Sequence, residues 1–298
     1  MNHNGHTPVL LEESMNYLKI ERKGTYIDCT LGLGGHAVEI LKRNPEAKLI
    51  GFDIDEASLL KAKENLLPYR ERVELFHSDF RYIPDLNLRF SEIRGVLLDL
   101  GVSSFQLDSP QRGFSYNING PLDMRMDLRN KTTAYKVINK YSEHQLRRIF
   151  REYGEIRNTR RLVDEIIKRR KAKKIATTGE LRQLVEKIFR WRPQKGKTHP
   201  AAKVFQALRI EVNQELKSLS NFLERLIHLV PHQTRIAAIS FHSLEDRIIK
   251  HTFVRLSAPA NGNRLLTVLT RRPVTPSPEE IALNFRARSA KLRVAEKV

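Results

Sequence analysis

Apolar residues in the first hundred positions fall into short buried-looking runs separated by amphipathic stretches. Residues 26–28, 49–53, 73–76 and 95–99 each read as a strand covered on both faces. Residues 36–43, 56–67 and 80–85 between them carry helical spacing. Strand and helix thus alternate, which predicts an α/β fold with a doubly wound parallel sheet. After Gln106 the alternation stops. Residues 109–130 are rich in Gly, Pro, Asn, Asp and Arg and read as an ordered loop, whose alternating Asp and Arg suggest internal ion pairs. Helices follow: one opened by a Ser142/Gln145 capping box and running to Phe150, a basic one over 158–171, and one opened by Thr177/Glu180 and running to Phe189. The α/β pattern then resumes with a long amphipathic helix over 201–229, a strand over 235–240, a helix from Ser243, and a closing strand pair over 265–270 and 291–296. The expected organisation is one sheet domain, residues 1–108 and 201–298, interrupted after its fourth strand by a helical insert over 109–200.

Charge sharpens this picture. The 298 residues carry a net charge of +19, and residues 109–200, with 24 Lys and Arg against 9 Asp and Glu, hold +15 of it. Such a basic insert predicts a polyanionic partner, though charge does not distinguish RNA from DNA. A single cysteine, Cys29, leaves no disulfide framework and no multi-cysteine zinc site, and the histidines show no metal-ligand spacing. No stretch has the length of a membrane span, and residues 1–13 have no signal-peptide core, so the expected location is the cytoplasm.

The chemistry gathers at strand ends. Asp28 is followed by a glycine turn, Gly32, Gly34 and Gly35, and then by His36 at the start of a helix; Asp53 ends the next strand eighteen residues after Gly35. Glycines allow close backbone approach to a ligand, and the acid accepts from ribose hydroxyls. The third glycine of the dinucleotide fingerprint is missing, which favours S-adenosylmethionine over a nicotinamide or flavin. Ser78, Asp79 and Phe80 follow the third strand, where Asp79 can accept from an adenine amine and Phe80 can pack on the ring. Asp99 ends the fourth strand: it can accept a proton from an amine, hold the cofactor's amino group, or cap the next helix. Phe241 and His242 end the fifth strand, where one can stack on a flipped base and the other bond its edge; Ser243 with Asp246 also fits a capping box.

Several longer motifs resemble one family. They are His6-Thr7-Pro8-Val9-Leu10-Leu11-x-Glu13, the glycine turn with His36, and Leu98-Asp99-Leu100-Gly101-Val102-Ser103-Ser104-x-Gln106-Leu107-Asp108. Arg112-Gly113-Phe114-Ser115, Pro121-Leu122-Asp123-Met124-Arg125-Met126-Asp127, His199-Pro200-Ala201 and residues 205–210 belong with them, as do residues 240–247 and Arg286-Ala287-Arg288-Ser289. Together they are similar to the bacterial MraW type of ribosomal small-subunit RNA (cytosine-N4)-methyltransferases. The resemblance implies a Rossmann-like class I methyltransferase sheet and S-adenosylmethionine bound by Gly34, Gly35, His36, Asp53, Phe80, Asp99 and Gln106. It further implies methylation of a cytidine N4 in the decoding region of 16S rRNA, on an assembled small subunit, with S-adenosylhomocysteine as product and a homodimer as candidate assembly. Catalytic roles fall to Asp99, Phe241 and His242. Two positions depart from the family pattern: Pro231-His232-Gln233-Thr234 stands where a glycine-containing turn is usual, and Phe285 where a proline is.

Overall fold

The computed structural model describes residues 8–194, 197–259 and 264–298; His6 and Thr7 of the first motif lie outside them. The chain divides into two units, residues up to Gly101 with Leu216 onward, and Val102–Glu215.

The first unit begins with α1 (Leu11–Leu18), β1 (Gly24–Asp28), α2 (Gly35–Arg43), β2 (Ala47–Asp53), α3 (Glu56–Asn65), β3 (Val73–His77) and β4 (Ile93–Asp99). The helix expected over 56–67 ends at Asn65 and passes into a 3-10 turn, Leu67–Arg72, with Pro68 in its first turn. Phe80–Asp85, also expected as helix, is a 3-10 turn opened by Asp79 and holding Pro84, whose ring blocks an α ladder.

In the second unit lie α4 (Ser104–Asp108), α5 (Ala134–Lys140), α6 (Glu143–Glu152), α7 (Arg160–Ala172), α8 (Thr178–Phe189) and α9 (Pro200–Asn213). The Ser142/Gln145 and Thr177/Glu180 capping boxes both form. Their apolar faces close a separate core that includes Ile138, Phe150, Ile166, Leu181 and Leu208, and Leu122 and Met124 of the preceding loop enter it. That loop is held by Asp123–Arg125 and Asp127–Arg129 ion pairs. Asn213 of α9 fastens it further, donating to Met124 O and accepting from Met126 N–H at 2.8 Å each.

The long helix expected over 201–229 is two helices. The backbone turns left-handed at Gln214 and Ser218, and α10 (Leu219–Leu229) begins afresh in the first unit. Neither turn uses Gly or Pro, and apolar periodicity continues on both sides. The units divide after Gly101 and after Glu215 rather than after 108 and 200; with the break at 214–218, α9 joins the helical unit.

The first unit resumes with β5 (Arg235–Ser240), α11 (Ser243–Ser257), β6 (Leu266–Val268), α12 (Pro278–Leu283) and β7 (Lys291–Lys297). One seven-stranded sheet results, ordered β3-β2-β1-β4-β5-β7-β6, with β7 antiparallel to β5 and β6 and the rest parallel. Tyr26, Leu49, Leu97 and Ile239 face α1, α2 and α3, while Ile27, Val96, Leu98 and Ile236 face α10 and α11. Both faces are covered, which is why the strands read as continuous apolar runs. The chain winds outward from β1 to β3 and then returns to β4 on the other side. The crevice at the carboxyl ends of β1 and β4 is therefore the topological switch point, where ligands bind in such sheets. Before β5, Gln233 has φ 65°, the left-handed backbone that a glycine would adopt without strain.

Candidate active site

Asp28, at the end of β1, is buried and accepts from Thr30 N–H at 3.1 Å. Burial, opposed by that bond and reinforced by Asp53, pushes its carboxyl up to about 7. The chain then turns through Gly32 (φ 53°) and Gly34 (φ 81°), both left-handed, with Gly34 at the N-terminal cap of α2. A side chain on Gly35 would meet Pro8 Cγ at 2.6 Å. Asp53 closes this turn from the end of β2: Oδ2 accepts from Gly32 N–H at 2.7 Å and Oδ1 from Asp55 N–H at 2.8 Å. Burial lifts its carboxyl to about 6 against those two bonds.

His36, in the first turn of α2, is buried rather than on the surface. Its Nε2 lies 3.1 Å from Val9 O and its Nδ1 3.7 Å from Asp99 Oδ2. Asp99 is fixed from below by Thr30, whose Oγ1 accepts from Asp99 N–H at 2.6 Å. The other carboxylate oxygen, Oδ1, is buried with no hydrogen-bond partner among the described residues. Burial, with Asp28 and Glu245 adding like charge, pushes the Asp99 carboxyl well above the usual carboxylate range. Native folds rarely strand a buried acceptor, so a ligand donor is the natural partner of this atom. The left-handed glycine turn and Asp53 fit an adenosyl cofactor, and the orphaned oxygen fits an amino donor, of the cofactor or of a substrate base.

The remaining candidates are placed differently. Asp79 is committed to Arg81, pairing with its guanidinium and capping the 3-10 turn through Arg81 N–H, so it is not an open acceptor for adenine. Phe80 packs edge-on against Phe222 with centroids 4.9 Å apart and stays half-exposed. His242, not Ser243, caps α11: Nδ1 accepts from Glu245 N–H at 3.3 Å and Nε2 lies 3.2 Å from Glu245 Oε1. Both ring nitrogens thus face Glu245, and the imidazole is turned into the fold rather than presented to a base edge. Phe241, half-buried beside it, donates its N–H to Glu245 Oε2 at 3.0 Å. In the helical unit, Gln106 is buried and forms a reciprocal capping box with Ser103.

Sequence reasoning assigned no role to Thr30 or Glu245. A threonine two residues past a strand end carries no signal of its own. Glu245, three residues after His242, was visible only as an acid in the first turn of the following helix.

The profile of the MraW methylase family matches residues 3–298, and the chain belongs to that family. It is accordingly a methyltransferase. It is 46% identical to the Ribosomal RNA small subunit methyltransferase H of Caldicellulosiruptor saccharolyticus, over 98% of this chain and 99% of that protein. It is also 46% identical to the same-named protein of Carboxydothermus hydrogenoformans, over 98% of each. Among solved structures, an rRNA methylase from Streptococcus thermophilus superposes with a TM-score of 0.44 at 12% identity, covering 98% of this chain and 99% of that one.

Proposed function

We propose that this chain transfers a methyl group from S-adenosylmethionine to the exocyclic N4 of one cytidine in the decoding region of 16S rRNA, within an assembled small subunit. Family membership and the names of the two relatives support the substrate class. The observation that carries the chemistry is the buried, unpartnered Oδ1 of Asp99 at the switch point.

Gly34, Gly35 and His36 line the cofactor side of the crevice, and Asp53 offers its remaining lone pairs to ribose hydroxyls. Phe80 flanks the adenine corner. The cofactor supplies an electrophilic sulfonium methyl. The cytosine amine is a poor nucleophile because its lone pair is delocalised into the ring. A carboxylate accepting from that amine favours pyramidal nitrogen, and Asp99 is the acceptor. The Asp99 carboxylate would take the proton that N4 gives up when it is methylated. Phe241 stacks on the extruded base. His242 acts indirectly: with Glu245 it fixes the backbone of Phe241. The basic helical unit supplies phosphate contacts that orient the RNA, and alignment then does most of the remaining work.

Purified protein incubated with S-adenosylmethionine and either small subunits or duplex DNA tests this. N4-methylcytidine in digests of the subunits alone is the expected outcome; methylation of DNA, or of another atom, contradicts it.

A further inference from the structure

Arg286-Ala287-Arg288-Ser289 has no role in the site described above, yet it lies beside that site. β7 begins at Lys291, which pairs with Ser240, the last residue of β5. The segment leading into β7 therefore sits at the carboxyl edge of the sheet, next to Phe241. A second tie comes from α12: Glu280 Oε1 accepts from Leu10 N–H at 2.8 Å, and the neighbouring Val9 O meets His36 Nε2. One short path thus runs from α12 to His36 and Asp99.

This rim is unusual in composition. Leu283 is 92% exposed and Phe285 67% exposed, although Ala287 and Ala290 between them and β7 are buried and anchor the turn. Arg288 lies over one face of the Phe285 ring, 4.7 Å from its centroid. Asn284 Oδ1 accepts from Arg286 N–H at 3.2 Å and caps the turn. Arg286 and Arg288 are exposed. An exposed aromatic ring backed by one guanidinium and flanked in sequence by a second exposed arginine has the makeup of a base-stacking platform with phosphate contacts.

We infer that Leu283, Phe285, Arg286 and Arg288 form an RNA-docking ledge on the sheet unit. On it the free face of Phe285 stacks a base flanking the target cytidine, and the arginines hold adjacent phosphates. The inference rests on the proposed RNA substrate. It adds a second contact surface to the helical unit, placed where the strand must pass on its way to Asp99. Charge complementarity and continuity with the site select RNA as the occupant over an apolar protein partner.

Two measurements on the full-length protein test it. The first is KM and kcat for purified small subunits; the second is anisotropy with fluorescein-labelled dodecacytidylate, which reads the ledge whether or not methylation occurs. Phe285→Ala is expected to weaken RNA binding and raise KM by roughly tenfold, the scale of losing one base–aromatic stack, with Phe285→Tyr close to the parent. Arg286→Gln with Arg288→Gln is expected to flatten the salt dependence of binding, by about one unit of slope per lost phosphate contact. Parent-like KM, anisotropy and salt slope in all these variants overturn the ledge. So does unchanged RNA binding accompanied by loss of self-association, which would make the patch a protein interface. Failure of the parent enzyme to methylate small subunits, with the oligonucleotide still bound through Phe285, overturns the substrate assignment and leaves the ledge standing.

Discussion

Nδ1 of His36 lies 3.7 Å from Oδ2 of Asp99, while Nε2 of the same ring lies 3.1 Å from the carbonyl oxygen of Val9. A carbonyl oxygen only accepts, so Nε2 carries a hydrogen. The neutral ring then turns a lone pair toward a carboxylate, and a proton between Nδ1 and Oδ2 removes the conflict. Asp28 and Glu245 are the other titratable groups acting on Asp99, and both are acids. His36 is therefore the neighbour positioned to share a proton with the Asp99 carboxyl rather than to repel its charge. Replacing it by asparagine is expected to move the acidic limb of the kcat/KM profile to higher pH, because the carboxylate loses its stabilising neighbour. An unmoved limb would show that the imidazole acts only as packing.

Asp99→Asn keeps the shape of the side chain and removes its ability to take a proton. Single-turnover methyl transfer should fall by about 10²-fold or more, the scale of general-base catalysis. Calorimetry with S-adenosylmethionine separates this loss from a loss of cofactor affinity.

Asp53 makes cofactor affinity depend on pH. Its carboxyl is lifted to about 6 by burial, against bonds from Asp55 and Gly32 N–H. Ribose hydroxyls donate to the charged form, so the affinity for S-adenosylmethionine should be level above pH 7 and weaken progressively below 6. Asp53→Ala should weaken it by about tenfold or more above about pH 7 and by progressively less as pH falls below about 6, where the charge-assisted hydrogen bonds are already lost in the parent. Titration calorimetry between pH 5 and 8, as an approximate working range for such groups, reads both effects.

Asp28 makes stability depend on pH in the sense opposite to a salt-bridged acid. Its folded-state pKa of about 7 lies above the ordinary carboxyl value of 3.8, so between those values the folded state holds a proton that the unfolded chain has released. Stability contributed by the neutral acid is full below the unfolded value and lost as pH rises to about 7. Asp28→Asn, which can still accept from Thr30 N–H, should therefore stabilise the protein at pH about 8 by up to about 4 kcal/mol and much less at pH about 5. Urea denaturation at the two values checks the sign; equal effects at both would mean Asp28 is charged throughout.

The basic insert contains two kinds of cation. Arg170 donates to Ile138 O and Tyr141 O at 2.7 Å each, and Arg112 to Arg125 O and Met126 O, so both are structural. Lys168, Lys171 and Lys174 are exposed on and just beyond α7. Changing these three lysines to alanine should lower RNA affinity and its salt slope with little change in stability. Arg170→Ala should instead lower stability by about 1–3 kcal/mol, because two part-buried carbonyls lose a charged donor. Thermal denaturation beside RNA binding distinguishes the two classes.

The sheet was legible because strands buried on both faces show as apolar runs and because capping boxes fix helix starts. Strand-end acids marked the crevice for the same reason, since Asp28, Asp53 and Asp99 follow runs that nothing else interrupts. The break at Gln214–Ser218 was hidden: its left-handed residues are Gln and Ser, and the side chain of Asn213 holds the loop through contacts distant in sequence. The inward turn of His242 was hidden likewise, since only the folded backbone shows that Glu245 meets both ring nitrogens. The commitment of Asp79 to Arg81 depended on a rotamer that no spacing encodes.

The most direct test is mass spectrometry of nucleosides from small subunits of cells with and without this gene. The account predicts that deletion removes one N4-methylated cytidine from 16S rRNA, that the parent gene restores it, and that Asp99→Asn does not. An unchanged nucleoside profile on deletion, or full restoration by Asp99→Asn, would contradict it.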